Sequence, residues 1–215
     1  MKSNNIVTVV VTYNRLSDLE VAVSSLLQSS RLPNAILVVD NSSEENVSDS
    51  IDERLRDHEL THFLRLPENL GGAGGFKRGV EYALAYLNAD ILHLMDDDGF
   101  VHRQQIAQLE SALDTFDLVN SCVVSSIDNE KLAFGIKNYS QVSDLPDVVI
   151  DSVNPFNGTM FSCDLYIKVG GIREDFFIWG DEVDFVRRVV AKRLTVATIK
   201  SAIHYHPESK STFDR

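Results

Sequence analysis

Three aspartates in a row, Asp96-Asp97-Asp98, follow directly on the apolar run Ile91-Leu92-His93-Leu94-Met95. On an extended segment alternate side chains point the same way, so Asp96 and Asp98 can address one ion, and hard divalent cations take oxygen ligands. An acidic triplet in isolation is as readily a solvated turn capping the next helix. At the carboxyl end of a strand, however, three like charges repel one another unless a cation or a donor neutralises them, which points to a metal and diphosphate role. His204 and His206 sit two apart on a strand-like stretch and face one side, so either could add a late metal ligand.

Two further groups carry possible chemistry. Trp179-Gly180-Asp181-Glu182-Val183-Asp184 places acids at the start of a helix, where the macrodipole favours them whether or not they react. A carboxylate buried beside an aromatic ring can instead have its pKa raised and serve as a general base toward a hydroxyl. Asn69-Leu70-Gly71-Gly72-Ala73-Gly74-Gly75-Phe76-Lys77-Arg78-Gly79 fits neither nucleotide template: it has no GK[ST], and Lys77 stands where a dinucleotide fingerprint needs its last glycine. What remains is either a loop free to take positive φ before a helix N-terminus, with Lys77 and Arg78 as phosphate partners, or a glycine-rich turn needed for close helix–sheet packing.

The elements that must position these residues alternate. Ile6–Val11 is a continuous β-branched run, suited to a strand buried on both faces that delivers Thr12-Tyr13-Asn14-Arg15 at its carboxyl end. Ser17 and Glu20 have capping-box spacing, and Leu19, Val23, Leu26 and Leu27 recur at helical intervals. A strand at Ile36–Val39 ends at Asp40-Asn41-Ser42-Ser43; helices through Val47–Leu55 and Val80–Leu87 bracket a short strand at Phe63–Leu66. After the aspartates come a helix at Ile106–Leu113, less regular strands at 119–125 and 131–136, a helix from Glu182 and a strand over Thr195–Ile203. This alternation predicts an α/β fold: a Rossmann-like, mostly parallel open sheet flanked by helices, with a small antiparallel portion in the C-terminal half. Such sheets bind ligands outside the carboxyl ends of their strands, so the loops at 12–15, 40–43 and 96–98 should meet on one edge.

Composition limits the function classes. The chain has 215 residues, 44% hydrophobic and 24% charged, enough for one domain with a real core and unlike a disordered or disulfide-dense chain. A formal charge of −12 has the wrong sign for coating phosphate backbones, which excludes non-specific nucleic-acid binding. No apolar run approaches the length of a membrane span, and the N-terminus has no signal core, so a cytoplasmic protein is expected. Cys122 and Cys163 then read as reduced packing residues.

In order and spacing, Val9-Val10-Val11-Thr12-Tyr13-Asn14-Arg15, Val38-Val39-Asp40-Asn41-Ser42, Asn69-Leu70-Gly71-Gly72, Asp96-Asp97-Asp98, Asn157-Gly158 and Trp179-Gly180-Asp181-Glu182-Val183-Asp184 resemble a family 2 glycosyltransferase of the GT-A fold. The glycine stretch and the full triplet are most similar to its galactofuranosyltransferase- and rhamnosyltransferase-like branch. The resemblance implies one catalytic domain over 1–215, with a nucleotide-binding half about 1–100 and an acceptor half about 101–206. It also implies a nucleotide-diphospho-sugar donor (UDP- or dTDP-sugar), Mn2+ or Mg2+, inverting displacement, and a glycan or lipid-linked acceptor met at the inner face of a membrane. The donor-binding residues would be Thr12, Asn14, Arg15, Asp40, Asn69, Gly72, Lys77, Asp96 and Asp97, and the metal ligands Asp96, Asp98 and His206 or His204, with His206 preferred. The base falls on Glu182 or Asp181, because the order Asp-Glu inverts the family's usual Glu-Asp. A sugar-nucleotide nucleotidyltransferase and a non-catalytic sugar-nucleotide-binding domain are the alternatives.

Overall fold

The computed structural model describes residues 4–55, 58–152 and 154–208. Its elements run β1 (Ile6–Thr12), α1 (Leu16–Leu27), β2 (Ala35–Asp40), α2 (Glu45–Leu55), β3 (Thr61–Arg65), α3 (Gly71–Tyr86), β4 (Ile91–Asp96) and β5 (Phe100–Val101). They continue through α4 (Gln105–Ala112), β6 (Leu118–Ser125), β7 (Lys131–Ile136), β8 (Tyr139–Gln141), β9 (Val148–Ile150), β10 (Thr159–Ser162), α5 (Cys163–Val169), a 3-10 turn at Glu174–Phe176, α6 (Asp181–Ala191) and β11 (Val196–His206).

One sheet carries the order β3-β2-β1-β4-β10-β6-β11-β5. β1 pairs in parallel with β2 and β4, β2 with β3, and β6 with β11. The antiparallel pairs come from short strands of the later chain, β5 and β7 to β10. As its β-branched run requires, β1 is buried throughout. Val7 and Val9 face a core closed by α3, α5 and α6; Ile6 and Val10 face a second core closed by α1, α2 and α4. A third cluster around Cys122, Val124 and Ile136 packs β6 against β7. Both cysteines are free and buried, their thiols pushed up by burial to about 11 and about 12. Among the described residues no helix is long and apolar enough to cross a membrane.

Two local expectations need correction. Ser17 caps nothing: α1 begins at Leu16, with Arg15 at the N-cap and no side-chain cap bond. The glycine cluster is not a loop before a helix but the first turns of α3 itself. In this cluster only Gly71 takes a positive φ, +69°, where Phe177 leaves no room for a side chain; Gly75 and Gly79 are small because β1 passes directly beneath them. Close helix–sheet packing is therefore what the glycines secure.

Candidate active site

The register fixes the site. Thr12 lies opposite Asp40, and Val11 opposite Asp96, so the ends of β1, β2 and β4 deliver their loops to one edge. Thr12 Oγ1 donates to Asp97 Oδ2 at 2.7 Å, and Arg15 Nη1 reaches Asp97 Oδ1 at 3.3 Å and Asp98 Oδ2 at 2.6 Å. Asn14 N donates to Ser43 Oγ, and Asn14 Oδ1 accepts from Glu44 N, closing the 12–15 and 40–43 loops on each other.

A cleft of about 800 Å³ opens beside this edge. Two parts of the chain wall it: Arg15, Gly72, Asp96 and Asp98 from the strand ends and the start of α3, and Ile178, Trp179, Asp181 and Glu182 from the entry to α6, with Phe134, Phe156, Asn157 and His206 also in the lining. Of the residues singled out from sequence, the cleft thus gathers Arg15, Gly72, Asp96, Asp98, Asp181, Glu182 and His206, with Thr12 and Asp97 directly beneath. Asp40 and Asn69 brace the neighbouring loops instead. Asp40 is 4% exposed and accepts from Ser43 N at 2.9 Å and Ser48 Oγ at 2.6 Å. Asn69 Oδ1 accepts from Asn41 Nδ2 and Gly71 N.

Two residues are placed elsewhere than expected. Lys77 lies outside the cleft, where α3 meets the 3-10 turn, and pairs with Glu174 at 2.8 Å. Arg78 also reaches Glu174, at 3.0 Å. His204 shares a face of β11 with His206 but lies deeper, at 0% exposure, with Nδ1 3.1 Å from Gln105 Nε2. It does not reach the aspartates' open side, whereas His206 does.

The electrostatics separate the carboxylates. Burial, then the charges of Asp98 and Asp97, drive Asp96 well above the usual range. Asp97 is pushed up to about 6 by burial, against the lowering pull of Thr12 and Arg15. Burial also opposes the charge on Asp98, but His206 and Arg15 outweigh it and hold Asp98 low. Across the cleft, burial first and then the hydrogen bond and charge of Glu182 raise Asp181 to about 7. Glu182 Oε2 accepts from Gly180 N at 3.2 Å.

The chemistry of this donor set suits a hard divalent cation: two carboxylates and an imidazole. His206 Nδ1 lies 2.7 Å from the Pro207 carbonyl, which directs the other ring nitrogen toward the aspartates, as outer partners of metal-bound histidines do. His206 Nε2 stands 3.0 Å from Asp98 Oδ1, a buried oxygen that no properly directed hydrogen bond reaches. Among the described residues no three such groups are already drawn together into a closed metal site. The Arg15 guanidinium on Asp98 holds the position a cation would contest.

Sequence patterns missed Phe134 and Phe156. Phe134 packs against His206 in a tilted contact, ring centroids 4.9 Å apart, and comes from the irregular hairpin of β7 and β8, which carries no motif.

The family profile described as Glycosyl transferase family 2 matches residues 8–165. Galactofuranosyltransferase GlfT1 of Mycolicibacterium smegmatis is 31% identical over 214 residues, covering 93% of this chain and 70% of that one. Among solved structures, GalNAc-T7, crystallised with UDP, GalNAc and Mn2+, superposes with a TM-score of 0.77 at 14% identity over 96% of this chain. S. aureus TarS 1-349 in complex with UDP gives 0.69 at 13% identity over 94%. The chain spans 44% and 60% of those two solved chains. These likenesses show the GT-A architecture of the α/β sheet.

Proposed function

The chain belongs to glycosyl transferase family 2, a family of enzymes that transfer hexosyl groups, and on that premise we propose that it moves one sugar from a nucleotide-diphosphate donor to a glycan or lipid-linked acceptor by metal-dependent, inverting displacement. The observation that carries this reading is one cleft lined by Asp96, Asp98 and His206 together with Asp181 and Glu182. A donor activated on one side and an acceptor deprotonated on the other is what direct displacement requires.

Asp98 and His206, with Asp96, would hold Mn2+ or Mg2+, and that ion would offset the charge of the departing diphosphate. UDP in two of the superposed structures supports a uridine donor, with a dTDP-sugar as the other option. Arg15, the one Lys or Arg among the described cleft residues, would leave Asp98 to meet the diphosphate. Thr12 and Asp97 keep the β1 and β4 loops in register below it. Asp40, held by Ser43 and Ser48, presents the rim on which the nucleoside lies, with Asn14 and Asn69 bracing the loops beside it.

On the far wall Glu182 is the base. Asp181 is the more deeply buried of the two, and burial and the neighbouring Glu182 raise it to about 7, which leaves the less buried Glu182 as the carboxylate placed to meet the acceptor hydroxyl. Trp179 and Phe156 flank that position and limit water, which would otherwise hydrolyse the donor. Acceptor contact at a membrane surface, in the cytoplasm, fits a lipid-linked acceptor.

Turnover of UDP- and dTDP-sugars with Mn2+ tests the reading. Release of nucleoside diphosphate, lost in both Asp98→Ala and Glu182→Ala, is the expected result. Release of pyrophosphate would indicate a nucleotidyltransferase, and binding without turnover across acceptors a non-catalytic domain.

A further inference from the structure

Beneath the cleft, two turns that shape it rest on one buried polar group. Gln105, Ser121 and His204 are each 0% exposed. Gln105 Nε2 donates to Ser121 Oγ at 2.9 Å and to His204 Nδ1 at 3.1 Å, and Ser121 Oγ donates to the Gly158 carbonyl at 3.0 Å. Gly158, with φ +80°, follows the cleft residue Asn157 and has no room for a side chain: a Cβ there would collide with Ser121 Oγ and Gln105 Nε2. Gly99 follows Asp98, and a Cβ on it would collide with His204 Nε2 and come within 3.0 Å of the Tyr205 carbonyl. The ring of His204 therefore lies flush against the backbone of the aspartate turn.

We infer that His204 is a positioning residue: its ring, locked by Gln105, is the floor on which the Asp96–Asp98 turn sits. The acceptance at Nδ1 leaves the ring proton on Nε2, which faces Gly99 and has no hydrogen-bond partner among the described residues. A buried polar ring kept without a full complement of partners costs stability, and here it supplies shape. The same network reaches through Ser121 to Gly158, so the turn bearing the metal aspartates and the turn bearing Asn157 are set by one support.

His93 is the natural control. It too is 0% exposed, with Nε2 unpartnered among the described residues, but its Nδ1 meets Thr8 Oγ1 at 3.1 Å in mid-sheet, and it is not among the groups a Cβ on Gly99 would meet. A role in core packing would make the two histidines equivalent; a role in positioning separates them.

The inference rests on the reading that Asp96 and Asp98 hold a divalent cation, and calorimetric titration of Mn2+ in the presence of UDP tests both. His204→Ala should weaken Mn2+–UDP binding about 10- to 100-fold, the range for outer partners of metal ligands, while His93→Ala stays within about 2-fold of wild type at a similar loss in Tm. Gly99→Ala leaves the core intact but lifts the turn off the same ring, so it should show the same loss if His204→Ala fails to fold. Equal affinities in His204→Ala and His93→Ala, or wild-type affinity in Gly99→Ala, would overturn the positioning role and leave the metal reading standing. Absence of Mn2+-dependent UDP binding in the wild type would overturn the metal reading, and the inference with it.

Discussion

On one side of the cleft Asp96 ends a strand held between β1 and β10, and Asp97 and Asp98 follow it; Thr12 and Arg15 hold both oxygens of Asp97, and Arg15 and His206 flank Asp98. On the other side Asp181 and Glu182 begin a helix entered through Phe177, Trp179 and Gly180, all at positive φ, with Phe177, Ile178 and Trp179 48%, 56% and 68% exposed. The first wall is built for a fixed ligand geometry. The second presents the proposed base beside three exposed apolar side chains, which an acceptor would cover. On the proposed reading, donor recognition falls to a preorganised wall and acceptor recognition to a more exposed one.

Replacing Asp98 by Ala attacks the rigid wall where Arg15 and the proposed cation would converge, and should lower kcat by at least about 10³-fold and abolish metal-dependent UDP binding. Steady-state turnover and calorimetry check both halves of that expectation. Glu182→Gln attacks the more exposed wall, and should lower kcat by roughly 10²- to 10³-fold while UDP affinity stays unchanged. If UDP affinity fell as far as kcat, the two walls would not be separate in function.

Asp181→Asn should lower kcat by about 10-fold, through loss of the carboxyl beside Glu182. It should also stabilise the ligand-free protein, with a definite pH sign. Asp181 is raised to about 7 when folded, so its contribution to stability is full below its ordinary pKa and is lost as pH rises through 7. Near pH 8 the Asn variant should melt about 2–4 °C higher for each kcal/mol relieved, and the gain should vanish near pH 4. The smallest effect belongs to Lys77→Ala. Paired with Glu174 where α3 meets the 3-10 turn, Lys77 is outside both walls, and kcat and KM should stay within about 2-fold of wild type. A large rise in donor KM would instead place it at the diphosphate.

How far the sequence revealed these walls follows the same division. The rigid wall was legible because β-branched runs and an aspartate triplet at a strand end are local signals, and parallel pairing of β1, β2 and β4 brings their loops together without further information. The depth of His204 was not legible. Alternation puts it on the face of His206, but a register shift in β11 between Ile199 and Ile203 and the packing of α4 decide which ring meets the cleft. The place of Lys77 is not legible either, because glycines that usually signal a loop are here selected inside a helix by the β1 side chains beneath them. Phe134 reaches the cleft only through the pairing of β7 with β6, a contact no motif announces.

The most direct test is turnover of UDP-hexose and dTDP-hexose donors by this chain, with Mn2+ and with EDTA, followed by NMR of the product's anomeric configuration. Release of nucleoside diphosphate with an inverted linkage, only when metal is present, is the predicted result. Pyrophosphate as the product, retained configuration, or equal rates in EDTA would contradict a metal-dependent inverting transfer across the two walls.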